Sequence, residues 1–183
     1  MPSKSVWARA FAEQARLDLD FAGALYALIS DADERARLGS RPELYCPAIY
    51  AYCQQAIEKA LKAWLWHSQG SIPMAHNPMT SVLRAKDMKK RNRPEHLNII
   101  DRNQEWLGRI LNMAPGASYG RDVKRDQLLS QPNTEYPFAL PGGQVKLPHQ
   151  EVSVSDVAAA LKIAKPVVNE IRKHLEASGL APE

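Results

Sequence analysis

From Val6 to about Arg37, apolar residues recur at Val6, Ala10, Leu17, Phe21, Leu25 and Leu28. Trp7, Phe11 and Ala15 widen that stripe, while Arg9, Glu13, Arg16 and Asp20 fall elsewhere. Steps of three and four residues place side chains on one face of a helix, so the pattern predicts a long amphipathic helix. Gly39 is its predicted stop. Ser40-Arg41-Pro42-Glu43 has the Ser-x-x-Glu spacing of a capping box and predicts the start of the next element after a short turn.

A second helix is predicted from Leu44 or Pro47 to Ser68, with Ile49, Cys53, Ala56, Ala60, Ala63 and His67 on one stripe and Ile57, Leu61 and Leu65 on an adjoining one. So wide an apolar arc belongs to a central helix touching several neighbours. Its alanines permit close approach, and Gln54, Gln55, Glu58, Lys59 and Lys62 are left for solvent, a partner chain or a ligand. Gly70 ends it. After a loop over Ser71 to Asn77, Met79, Val82 and Leu83 predict a short helix reaching Lys90. Asn92-Arg93-Pro94-Glu95 reads as a further helix start, continued by Leu97, Ile100, Leu107 and Leu111 to near Met113.

Between Ala114 and Ser153 the density of proline and glycine excludes a long regular helix. A loop of that length in a compact domain is functional, packed as an Ω-like excursion, or partly mobile. The last helix restarts at Ser153 or Ser155 and runs to about Ser178. Its stripe is Val157, Leu161, Ala164, Val168, Ile171 and Leu175; Pro166 is predicted to kink it and Gly179 to stop it. The expected fold class is all-α: an antiparallel bundle of about four long helices, with a long Pro/Gly-rich loop before the last and no convincing strand. No internal repeat is present.

Composition narrows the class without changing it. With 183 residues, 45% hydrophobic and 24% charged, the chain is predicted to form one globular domain over residues 1–183. The longest apolar-leaning stretch, Ala56 to His67, carries Glu58, Lys59 and Lys62, so no membrane span is expected. The N-terminus lacks the apolar core of a secretory signal, and a cytoplasmic protein is expected. Cys46 and Cys53 sit in one predicted helix about 10 Å apart, too far for a disulfide. They are expected to be buried thiols. The net charge of +4 makes an anionic partner plausible without singling one out. The wide arc of the second helix exceeds what one face of a small bundle needs, which predicts a homodimer.

The segment from Cys46 to His67 contains Gln54, Gln55, Ala56, Glu58, Lys59, Leu61, Lys62 and Ala63. In that order these residues strongly resemble the second-helix signature of HEPN domains, helical proteins associated with nucleotides and RNA. Gly70 to His76 matches the short loop and histidine that follow in the family. Thr134-Glu135-Tyr136-Pro137 matches its Thr-x-Tyr-Pro loop ahead of an Ala- and Leu-rich last helix. The resemblance spans roughly Val6 to Leu175, and Gln-Gln-Ala-x-Glu-Lys is its most specific part. Glu135 departs from it by standing where the family often has arginine, which reverses a charge suited to phosphate contact. The resemblance implies a nucleotide- or RNA-associated binding and interaction module, working beside a small nucleotidyltransferase, with binding rather than catalysis as the leading expectation.

Many HEPN proteins look like metal-independent endoribonucleases or toxins, in which an arginine precedes a histidine by four to six residues near a helix start. The arginine holds the scissile phosphate while the histidine moves a proton. Arg91 and His96 have that spacing and are the candidate catalytic pair, with Pro94 between them atypical; a solvated helix start explains the same residues without chemistry. Arg84, Lys86, Lys89, Lys90, Arg91 and Arg93 form a basic run, interrupted by one acid, Asp87, that suits phosphate neutralisation or a plain solvated surface. Lys59 and Lys62, with Gln55, form a second candidate phosphate-binding ridge, for which helix-surface ion pairing is the simpler account. Tyr50, Tyr52, Trp64 and Trp66 suit stacking, yet such spacing more often serves a core or a dimer contact. No His-x-x-x-His, Cys-x-x-Cys, P-loop, Gly-x-Gly-x-x-Gly or nucleophile elbow occurs, so no metal site and no cofactor is expected. A third possibility is a purely structural dimerisation scaffold.

Overall fold

The computed structural model of the chain describes residues 3–37, 41–70, 72, 76–88, 97–113, 132–135, 138–139, 142 and 144–180, with the backbone alone at 86–88, 97 and 138–139. These residues are mostly helical. In chain order the helices are α1 (Lys4–Ser30), α2 (Ala32–Arg37), α3 (Cys46–Gln69), α4 (Met79–Met88), α5 (Leu97–Arg102), α6 (Gln104–Asn112) and α7 (Val154–Ala177), with 3-10 turns at Pro42–Leu44 and Pro148–Gln150.

Three helices of 24 residues or more, α1, α3 and α7, make the frame. Ring contacts fix their directions. Trp7 stacks on Trp66 at 6.1 Å and Phe21 meets Tyr52 edge-on at 4.6 Å, so positions that rise along α1 fall along α3, and the two run antiparallel. His67 near the end of α3 lies 5.5 Å from His174 near the end of α7, and Asp156 at the start of α7 acts electrostatically on Cys46 and Tyr50 at the start of α3. Those two helices are therefore parallel. The expected antiparallel arrangement holds for α1 against both but not for α3 against α7, because the long connection between them crosses back along the bundle.

Local chemistry explains where helices begin and end. Ser153 caps α7 reciprocally with Asp156, the Asp156 amide donating to the serine hydroxyl and the Ser153 amide to the carboxylate. Gly70 and Gly179 stand just past α3 and α7 at φ +72° and +79°, the left-handed region glycine adopts without strain. Pro166 lies inside an uninterrupted α7. Two expected long helices are broken. At Asp31 the first one stops, and the Asp31 carboxylate accepts the Asp33 and Glu34 amides at 2.9 Å to begin α2. At Asn103, whose side-chain amide donates to the Ile99 carbonyl at 2.8 Å, the predicted third long helix divides into α5 and α6. Gly39 and Ser40, proposed as stop and cap, lie outside the described residues, and the turn at Pro42 has Arg41 before it.

Where no strand was expected, Phe138–Ala139 and Val145–Lys146 pair as a two-stranded antiparallel ribbon, with Gly142 at φ +95° in its turn. Residues 114–131 of the Pro/Gly-rich stretch lie outside the described residues.

The core is one contiguous cluster centred on α3, which buries sixteen of its residues. α1, α4, α6 and α7 all pack against it. The face α1 turns inward matches the predicted stripe only in part: Ala15 is buried and Phe11 and Leu25 pack partly buried on the core, but the rest of the buried face is Ala8, Ala12, Ala22 and Ile29, whereas Val6, Trp7, Leu17, Phe21 and Leu28 remain exposed. The buried face of α1 is thus made mostly of small side chains, which suit close helix packing, and the large residues stay about half exposed at its margin, where Trp7 stacks on Trp66 and Phe21 meets Tyr52. The wide arc of α3, the reason for expecting a homodimer, is thus filled within the chain. In α7, Val157, Ala164, Val168, Ile171 and Leu175 are buried as expected, and Leu161 is half-buried.

Candidate functional site

The helical spacing that buries the apolar arc of α3 also carries the signature polar residues inward. Gln54, Glu58 and Lys62, one turn apart, are each buried. They are not a solvent ridge. Lys62 Nζ lies 2.6 Å from Glu58 Oε1, with both side chains only 10% exposed. At this burial an unpaired charge is strongly disfavoured, so each residue requires the other.

The second oxygen of Glu58 faces out of α3 toward the turn before α4, where Glu58 Oε2 lies 3.3 Å from His76 Nδ1. The His76 side chain is 60% exposed, so one edge of the ring is held by a buried carboxylate while much of the remainder meets solvent. The Glu58 hydrogen bond raises the His76 pKa above its ordinary value. Desolvation and the Lys62 charge oppose that rise, and the charges of Glu58 and Glu135 add to it. A histidine oriented by a buried carboxylate is suited to charged hydrogen bonding and to proton movement near neutral pH.

The loop motif comes to the same place. Thr134 donates its backbone N–H to the Met113 carbonyl at 3.2 Å, and the Asn133 side chain accepts the Glu135 amide at 3.0 Å. Asn133 and Thr134 are buried, and the Thr134 hydroxyl has no hydrogen-bond partner among the described residues. Glu135, the departure from the family pattern, contributes its charge to His76. Glu58, paired with Lys62, therefore meets His76 directly, and the Glu135 charge is the smallest of the influences on that ring. Tyr136 and Pro137 lie outside the described residues.

Lys59 points to the other flank of α3. Its ammonium lies 2.5 Å from Asp18 Oδ2, while Gln14 donates to Asp18 Oδ1 at 2.9 Å. The two lysines proposed for phosphate contact thus face different carboxylates. Asp18 was not among the residues selected from the sequence, its available sign being a lone acid within the alanine stripe of α1, and His76 entered only as the histidine of the resemblance, without a role.

Arg84 is exposed on α4, opposite the buried Met79, Val82 and Ala85. The backbone of Lys86 continues that helix. Lys89, Lys90, Arg91, Arg93 and His96 lie outside the described residues, so the proposed catalytic pair has no geometry to assess. An open groove of about 620 Å³ along α5 and α6 carries Asp101 and Glu105 beside Arg102 and Arg109, a mixture without preference for an anion. Among the described residues, no group of three or more His, Cys, Asp or Glu side chains is placed to hold a metal, and no helix is long and apolar enough to cross a membrane. Cys46 and Cys53 are buried free thiols, and burial pushes Cys53 up to about 12.

Compared with family models, with curated proteins and with solved structures, the chain matches none.

Proposed function

We propose that the chain is a HEPN-type nucleotide- or RNA-associated binding and interaction module, with the four-helix bundle of that family. In this reading it is a cytoplasmic homodimer acting beside a small nucleotidyltransferase. The observation that carries the proposal is the convergence of Glu58 and Lys62 with His76 and the loop at Asn133 to Glu135. The basic run that begins at Arg84 supplies the counter-charge for phosphates, while the Lys59 and Lys62 ammoniums, already paired, order the helix rather than meet the ligand first.

A nuclease or toxin using Arg91 and His96 rests on their spacing alone. A scaffold role is favoured by the apolar outer face of α1.

The test is anisotropy of labelled single-stranded RNA and of a labelled nucleoside triphosphate, run beside a cleavage assay of wild type and His96→Ala with added chelator. Saturable binding of either probe without cleavage is the expected result. Chelator-resistant cleavage that disappears in His96→Ala contradicts the binding-module reading in favour of the nuclease, and absence of both binding and cleavage leaves the scaffold.

A further inference from the structure

The α1 helix carries two apolar stripes, and the fold covers the second only in part, where Trp7 stacks on Trp66 and Phe21 meets Tyr52. Alanines and Ile29 face the core, while Val6, Trp7, Leu17, Phe21 and Leu28 are each 40–52% exposed. The outer set is ordered. Trp7, Ala10, Gln14, Leu17, Phe21, Ala24 and Leu28 alternate steps of three and four along the helix, and all seven are exposed. Sustained over this length, that spacing forms a straight seam suited to a facing helix. It contains no ionisable residue. Beside it Arg16 pairs with Glu13 and with Asp20, each at 2.6 Å, giving a locally compensated polar rim.

We infer that this outer seam of α1 is where a second copy of the chain docks, helix against helix and antiparallel. The inference rests on the homodimer in the reading above and not on its ligand. Two features select a second copy as the occupant. The first is area: the four large side chains of the seam and the adjoining Val6, each about half exposed at about 200 Å², present roughly 400 Å² of apolar surface. A standard interface covers about 800 Å² per partner, a little over half of it apolar, so two such faces meet what a stable dimer needs.

The second is self-complementarity of size. In an antiparallel pair, the register that sets Phe21 over the partner's Ala10 also sets Trp7 over the partner's Ala24 and Gln14 over the partner's Leu17. Both aromatic rings then meet an alanine and Leu17 meets the Gln14 side chain, twice over by symmetry. A parallel pair would instead stack Trp7 on Trp7 and Ala10 on Ala10, crowding some layers and leaving voids in others. Gln14 enters the seam already satisfied by Asp18.

The test is the mass in solution of wild type, whose chain is 20.4 kDa, and of Leu17→Glu with Leu28→Glu, alongside far-UV circular dichroism. Wild type is expected as a dimer. The double variant, altered only at exposed positions, should keep its helicity and weaken dimerisation by at least about 100-fold. A second variant, Ala10→Cys with Phe21→Cys, tests the register. The two positions lie about 16 Å apart along one helix, beyond disulfide reach within a chain, so oxidation should give a covalent dimer. A monomeric wild type overturns both the homodimer and the seam, whatever the RNA result. A dimer that persists in the double glutamate variant overturns the seam alone, and failure of the cysteine pair to cross-link overturns the antiparallel register.

Discussion

Lys59 Nζ lies 2.5 Å from Asp18 Oδ2, joining the middle of α3 to a carboxylate 41 positions earlier in α1. This ion pair sits where the alanine faces of the two helices meet, and the Asp18 side chain is only 6% exposed. Removing the acid leaves a partly buried ammonium without its partner, whereas removing both charges does not. Asp18→Ala is therefore expected to lower stability by about 2 kcal/mol, a buried-pair value discounted for the partial exposure of Lys59. Asp18→Ala combined with Lys59→Met should recover part of that loss. Urea unfolding of the single and double variants measures both, and equal stability of wild type and Asp18→Ala would show that the pair contributes nothing.

His76 should titrate above the ordinary histidine value of about 6.5 because its charged form is held by Glu58. A folded-state pKa raised above the unfolded one means the charged ring is favoured in the native chain. The stability contributed by this contact is therefore full below the unfolded pKa and is lost as pH rises through the folded one. Histidine NMR titration of wild type and Glu58→Gln checks the assignment: the variant should move the His76 midpoint downward, and an unchanged midpoint would remove Glu58 as the cause.

Burial raises Cys53 from 9.0 to about 12 and Tyr50 from 10.0 to about 12. Both groups keep their protons in the folded chain at pH values where the unfolded chain releases them. Their contribution is intact below about pH 9 and declines as pH rises toward 12. The urea midpoint should fall between pH 8 and pH 10.5, and Cys53→Val should flatten that fall. In native protein at pH 8 neither Cys46 nor Cys53 should react with a thiol reagent, and both should react in denaturant. Rapid native labelling would contradict the buried placement.

Much of the fold is legible in residue spacing. Both ends of α3 and α7, the stop at Gly70 and the serine cap at Ser153 follow from local rules that tertiary structure does not override. The inner face of α1 follows the predicted stripe only at Phe11, Ala15 and Leu25, for a physical reason. Ranking by hydrophobicity selects Leu17, Phe21 and Leu28, but helix approach is governed by size, and the alanine stripe allows the closer contact. The breaks at Asp31 and Asn103 arise from single side chains bonding to nearby backbone, a competition that periodicity does not register. At the site, the order Glu58, Lys59, Lys62 identifies the important turn of α3 but not its partners, because Asp18, His76 and Glu135 reach it only through folding.

In the proposed function the basic run that starts at Arg84 holds phosphate-bearing nucleotide chains. The most direct measurement is the affinity for a labelled single-stranded RNA across a series of salt concentrations, for wild type and for the triple variant Lys86→Ala, Lys89→Ala, Lys90→Ala. Each phosphate contact on a single strand contributes roughly 0.7 to the slope of log affinity against log salt. Wild type should lose affinity linearly on that scale, and the triple variant should bind more weakly with a slope smaller by about 2. Affinity that ignores salt, or an unchanged slope in the triple variant, would contradict the claim.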